Sequence, residues 1–191
     1  MRHLVLVGSV LVSACLGPRA DPSAYYLLNA TVPPQEDAAL PVVLGVGPIA
    51  LPGYLDRPQI VVRVSENEIA LAEADRWAEP LAENLSRALR EDLLALLPGT
   101  SYVEYPWFEA DAPDYGIAVE VQRFEADAAG VVELAATWEI AAGTVVVERR
   151  STRVQEAAGS AARSETVAAQ SRALAELSRE IAAGVRRAAA R

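Results

Sequence analysis

The chain has 191 residues, 52% of them hydrophobic, and its 26 acidic side chains outnumber 17 basic ones for a net charge of −9. That is enough apolar material for one domain with a substantial core, and too much for a chain disordered by composition. The chain is acidic and no basic cluster dominates, which argues against a nucleic-acid binder, whose phosphates need basic partners, and disfavours flat adsorption on anionic lipid; every Lys/Arg position is arginine.

Residues 1–14 read as an export leader. Arg2 and His3 form a basic head, residues 4–12 are apolar, and Ser13 and Ala14 place small side chains before Cys15. The apolar run falls well short of the ~20 residues that cross a bilayer as a helix. The Val12-Ser13-Ala14-Cys15 junction resembles a bacterial lipobox, so Cys15 is the expected lipid-attachment residue. The alternative is an ordinary secreted protein with a stray cysteine. Cys15 is the only cysteine and can make no intramolecular disulfide. One acyl chain anchors only marginally; lipoprotein maturation, as the resemblance implies, adds a diacylglyceryl group and usually a third chain. The expected organisation is a signal peptide over 1–14, a lipidated tether over 15–24 and a single periplasmic domain over 25–191.

Within that domain, residues 25–32 predict a short first strand, followed by a Pro33-Pro34 loop. Residues 42–51 predict a strand ending in a turn, and the β-branched run 60–64 another. Residues 65–68 form a turn cluster and 69–72 a short return strand. Pro80 suits the first turn of a helix, and Leu81, Leu85, Leu89, Leu93 and Leu96 make one apolar stripe before Pro98-Gly99 ends it. A short strand follows and stops near Pro106. Ile117, Val119 and Val121 alternate with more polar positions. Residues 131–140 show the cleanest two-residue period, with Val132, Leu134, Ala136, Trp138 and Ile140 on one face and a wet opposite face. A third strand spans 145–154. A C-terminal helix runs from about Ser164, with an alanine-rich stripe suited to close packing on a sheet; a partner-binding coiled coil is the sharper alternative. Strands, helix, strand meander and helix together predict an α+β layer fold, a mostly antiparallel sheet with two helices on one face.

Little in the domain points to catalysis. The only histidine is His3, in the leader, and there is no lysine. That removes Ser-His-Asp triads, Cys-His dyads, common zinc sets and Schiff-base chemistry. Gly45-Val46-Gly47 is followed by Pro48 and cannot open a dinucleotide-binding helix. Carboxylate-pair chemistry alone survives. A non-enzymatic protein without cofactor or metal is expected. The stretch GPIALPGYLDRPQIVVR, residues 47–63, stands apart: its prolines make residues 54–57 a rigid loop carrying a tyrosine and an Asp-Arg pair. A proline-braced turn and a docking surface are both open readings.

The lipobox, YYLL, VGPIALPGYLDRPQIVVR, ADRWAEPLAENLSRALREDLLALLP, YPW and the terminal ALAELSREIA follow in an order that closely resembles the PqiC-like lipoproteins, the ABC-type transport auxiliary lipoprotein family. LPGYLDRPQIV and RWAEPL are the most specific pieces. The resemblance implies an accessory lipoprotein of an MCE-type system that moves lipids or hydrophobic compounds between the inner and outer membranes of a Gram-negative bacterium. Its partners would be an MCE-domain protein and inner-membrane transporter components, with the outer membrane reached through acylated Cys15; self-association stays open. Leu16 stands where an aspartate would favour inner-membrane retention, in agreement with outer-membrane sorting. Tyr54, Asp56, Arg57 and Gln59, with Trp77 and Glu79, are the candidate docking residues. A lipid-binding carrier module and a cell-wall enzyme are the alternatives.

Overall fold

The structure is a computed structural model that describes residues 21–191; the leader and Cys15 lie outside the described residues. In chain order the elements are β1 (Ala24–Tyr26), β2 (Val43–Ala50), β3 (Gln59–Ser65), β4 (Glu68–Trp77), α1 (Leu81–Leu96), β5 (Ser101–Glu104), β6 (Tyr115–Asp127), β7 (Val131–Ala142), β8 (Val145–Ala157) and α2 (Arg163–Ala189). The fold is α+β, as expected. The long ladders β3–β4, β6–β7 and β7–β8 are antiparallel, as expected, but the sheet is not wholly so: β1–β4, β2–β5, β2–β6 and β3–β6 pair parallel over shorter stretches.

Strand β6 makes this topology. One of its edges pairs with β7 over nearly its full length. The other is shared, with β2 beside residues 115–120 and β3 beside Ala126 and Asp127. Two strands separated by the loop 51–58 therefore lie end to end along one long strand, and both run parallel to it.

The apolar positions explain which face is covered. Val132, Leu134, Ala136, Trp138 and Ile140 of β7 are buried, and so are Ile117, Val119 and Val121 of β6. A register shift between Val121 and Arg123 moves the buried set to Phe124 and Ala126. A bulge of this kind inserts one residue and inverts the alternation beyond it. Leu81, Leu85, Leu89 and Leu93 of the α1 stripe are buried as predicted; Leu96, its last predicted member, is half-buried, and Leu97 just past the helix end fills the core instead. The α2 stripe packs mainly on β7 and β8, and α2 also lies against α1. Gly184 brings it close: a Cβ there would stand 2.8 Å from the Ile140 side chain and 3.0 Å from the Trp138 ring. A polar chain fixes the same contact: Trp138 Nε1 donates to Thr152 Oγ1 at 2.9 Å, and the Thr152 hydroxyl donates to Glu180 of α2.

The first predicted strand shows the largest departure. β1 is three residues long. Residues 27–35 then leave the sheet and run extended in the groove between α1 and α2. Side chains of the helices, not a neighbouring strand, take up four of the segment's N–H groups, and the Gln35 N–H reaches the Ala95 carbonyl of α1 (2.9 Å). Asn84 Oδ1 accepts the N–H of Leu28 (3.0 Å), Ser171 Oγ that of Asn29 (3.2 Å), and Asp92 Oδ1 those of Thr31 and Val32 (2.9 and 3.0 Å). Arg87 donates to the Leu28 carbonyl at 2.9 Å. The helices run the same way, since Ser178 meets Asp92 and Arg186 meets the Leu96 carbonyl. Smaller differences are extensions: β4 continues from the short return strand to Trp77, and the turn before it narrows to Glu66 and Asn67.

Gly184→Leu forces α2 off Trp138 and Ile140, and overpacking of this kind costs roughly 1–3 kcal/mol or more; thermal unfolding should show a clear loss in Tm, where a neutral surface change would not. Asp92 is fully buried, and that burial raises its carboxyl pKa above 3.8, against the hydrogen bonds that lower it. The folded state thus holds the proton more tightly than the unfolded chain. Its contribution to stability is complete at low pH and falls as pH rises through the folded pKa. Asp92→Asn keeps the acceptor for Thr31 and Val32 and removes the buried charge, so it should melt at or above the parent at pH 7, with the gap closing on acidification. Asp92→Ala leaves two donors unpaired and should cost about 2 kcal/mol or more.

Candidate docking surfaces

The loop 51–58 joins the two strands that share the edge of β6, and its geometry follows from that position. Its turn is closed by the Leu55 N–H on the Pro52 carbonyl (2.9 Å), and Leu55 enters the core. Tyr54 reaches onto the sheet: its hydroxyl donates to Glu125 Oε2 (2.9 Å) and lies 3.1 Å from the Gln122 carbonyl. Glu125 is 2% exposed. It sits just past the β6 bulge, on the face opposite Phe124 and Ala126. Arg63 of β3 donates from Nε to its Oε1 at 2.7 Å, with Nη2 at 2.6 Å, and the guanidinium stands 6.0 Å over the Tyr54 ring. A buried carboxylate is tolerable only when paired and hydrogen-bonded in this way. Burial, followed by the hydrogen bond to Glu125 and its charge, pushes the Tyr54 hydroxyl up to about 12, so it stays a neutral donor.

The other candidates distribute unevenly. Asp56 is exposed, while Arg57 and Gln59 are half-buried. The Arg57 Nε is buried without a hydrogen-bond partner among the described residues. Gln59 pairs with Arg76 across β3–β4, and the Trp77 N–H donates to the Pro58 carbonyl at 2.7 Å, which brings the loop's exit and the helix-leading motif together. Trp77 itself is a core residue. Glu79 accepts from Arg87 of α1 at 3.1 Å and borders a cleft of about 460 Å³ between α1 and the β2–β5 end of the sheet. Arg90, stacked 5.0 Å over Tyr102, shares that cleft. Sequence reasoning did not find Arg63 and Glu125. The one signal available was the phase change in RFEAD, which sets an acid between two core residues. Among the described residues no acidic, histidine or cysteine group is arranged to hold a metal ion, and no helix is long and apolar enough to cross a membrane.

The combination of a long shared strand, two parallel helices and a side-chain-held N-terminal strap defines a recognisable α+β fold. The sequence profile of the ABC-type transport auxiliary lipoprotein component matches residues 25–182, and the chain belongs to that family. Two solved structures are similar in fold. One is an uncharacterised protein with 22% identity and a TM-score of 0.72, covering 85% of this chain and 98% of its own. The other comes from Xanthomonas campestris, with 23% identity and a TM-score of 0.67, covering 84% and 93% respectively. No curated protein matches the sequence.

The Tyr54–Glu125–Arg63 unit makes a direct prediction. Tyr54→Phe removes one donor from a buried carboxylate and should cost about 1–3 kcal/mol. Arg63→Ala leaves that charge unpaired and should cost about 3–5 kcal/mol. Asp56→Ala should stay within about 0.5 kcal/mol of the parent. Chemical denaturation of the three variants measures the order.

Proposed function

We propose that this protein is the lipid-anchored accessory subunit of an MCE-type ABC system, held through acylated Cys15 at the periplasmic face of the outer membrane and docking with the MCE-domain protein that links it to the inner-membrane transporter. Membership of a transport auxiliary lipoprotein family carries this reading. The lipobox-like Val12-Ser13-Ala14-Cys15 junction supports the anchor. Ala24, the last residue of the expected tether, pairs with Asp75, which Arg163 at the start of α2 also bonds.

Docking fits the domain better than carriage of a lipid. Large side chains such as Trp138 and Phe124 fill the interior. The cleft beside α1 has a mixed lining, with Val46, Ile49 and Tyr102 alongside the charged Glu79, Glu83, Arg87, Arg90 and Glu104, whereas an acyl chain asks for a predominantly apolar one. Within the loop 51–58, Asp56 is the outward-facing candidate contact, with Arg57 and Gln59 beside it. Tyr54 and Trp77 hold the loop's shape, and Glu79 orients Arg87.

The deciding experiment is fractionation of cells that express Cys15→Ala. The variant should appear in the soluble periplasm and envelope resistance should fall. A variant that still sediments with membranes in the absence of detergent overturns the anchor.

A further inference from the structure

The β5–β6 connection carries an apolar surface that neither the fold nor the anchor uses. Phe108 is 75% exposed and Tyr105 46%, and at the same end of the sheet the β7–β8 hairpin exposes Val145 (61%) and Val146 (51%). Monomeric proteins show single exposed apolar residues routinely, but clustered ones mark contact sites. The two segments are neighbours in the sheet: Gly116, where the connection enters β6, pairs with Ala141, and Ala141 pairs with Val146.

This connection is built rather than loose. The Trp107 ring lies on a floor made by Gly45 and Gly116, which face each other across β2 and β6. A Cβ at Gly45 would come within 2.6 Å of the ring, and one at Gly116 within 2.9 Å. Tyr105 then meets Trp107 edge-on at 5.2 Å. One indole thus pins the segment to the sheet, and Phe108 next to it is held outward. A rigid aromatic presented this way loses little conformational entropy on binding.

Charge selects the occupant. Glu104, Glu109, Asp111 and Asp114 are all exposed, and residues 101–120 contain no basic side chain. At the end of α2, Arg186 is paired with Asp37 and Arg187 with Glu148, and Arg191 donates to the Val147 carbonyl beside the hairpin, so the acidic excess belongs to the 104–114 segment. An anionic lipid surface would be repelled, and a second copy would set acid against acid. The surface also lies at the end of the domain opposite Asp21, since α2 starts beside Asp75 and finishes beside Glu148. We infer that the Tyr105–Phe108 segment and the Val145–Val146 edge form a docking surface for a protein partner presenting apolar side chains bordered by arginine or lysine. Identifying that partner with the transport system's periplasmic component rests on the function proposed above.

The test is photo-cross-linking of the full-length chain in cells, with p-benzoylphenylalanine at Phe108 or Val145 and, as the control, at Val64 of the β3–β4 hairpin. The expected result is one protein adduct from 108 and 145, absent from 64, identified by mass spectrometry and reduced at least tenfold by Glu109→Arg with Asp111→Arg. An adduct with a transporter component supports both readings. A charge-sensitive adduct with an unrelated basic protein supports the surface and overturns the proposed function. Lipid adducts, a dimer of this chain, no adduct, or a yield indifferent to the charge reversal each overturn the surface. Unchanged Tm in the charge-reversed variant separates lost docking from lost folding.

Discussion

Asp92 accepting the Thr31 and Val32 N–H groups is the contact on which the layer of helices depends. An extended segment buried outside a sheet must find partners for every peptide donor and acceptor, because an orphaned buried group costs about as much as a lost hydrogen bond. Here α1 and α2 supply them from Asn84, Arg87, Asp92 and Ser171. The strap in turn fills the groove that two parallel helices leave between them, with Leu28 and Val32 buried. Helix α1 could not keep Asn84 and Asp92 buried without the strap, and the strap could not be buried without them.

The sheet rests on a second constraint, the length of β6. A thirteen-residue strand is long enough to take β2 and β3 in succession on one edge while β7 occupies the other. The bulge after Val121 lets one strand serve two surroundings. Before it, alternate residues face the helices; beyond it the phase inverts and Glu125 turns to the open face. There Arg63, arriving on β3, and Tyr54, arriving on the loop, close around it.

Local pattern carried much of the fold. The leucine stripe of α1, the alternation of β7 and the glycine and proline punctuation needed only neighbouring residues to be read, and the elements lie where those signals put them. Pairing direction was not legible, because a run such as IVVRV has the same alternation whether its neighbour runs with it or against it. YYLLNATV carries strand propensity, and only its contact with two helices, distant in sequence, draws most of it out of the sheet. The loop GYLDRP was legible as rigid and aromatic. That Tyr54 turns inward could not be seen, since Glu125 lies 71 residues away. Asn84 and Asp92 did leave a trace: they are polar residues on the buried side of the leucine stripe.

The strap's direction has a mechanical consequence. It leaves the Asp21 end of the domain and runs lengthwise between the helices before the chain returns through β2. Tension applied on the N-terminal side of Asp21 therefore acts along the strap, and its bonds to Asn84, Ser171 and Asp92 share the load instead of opening one at a time. β1 meets the same pull in the same geometry, because it pairs with β4 along its length. A domain held from this terminus resists being drawn out of its own helices, while the far end stays free to turn toward whatever it meets.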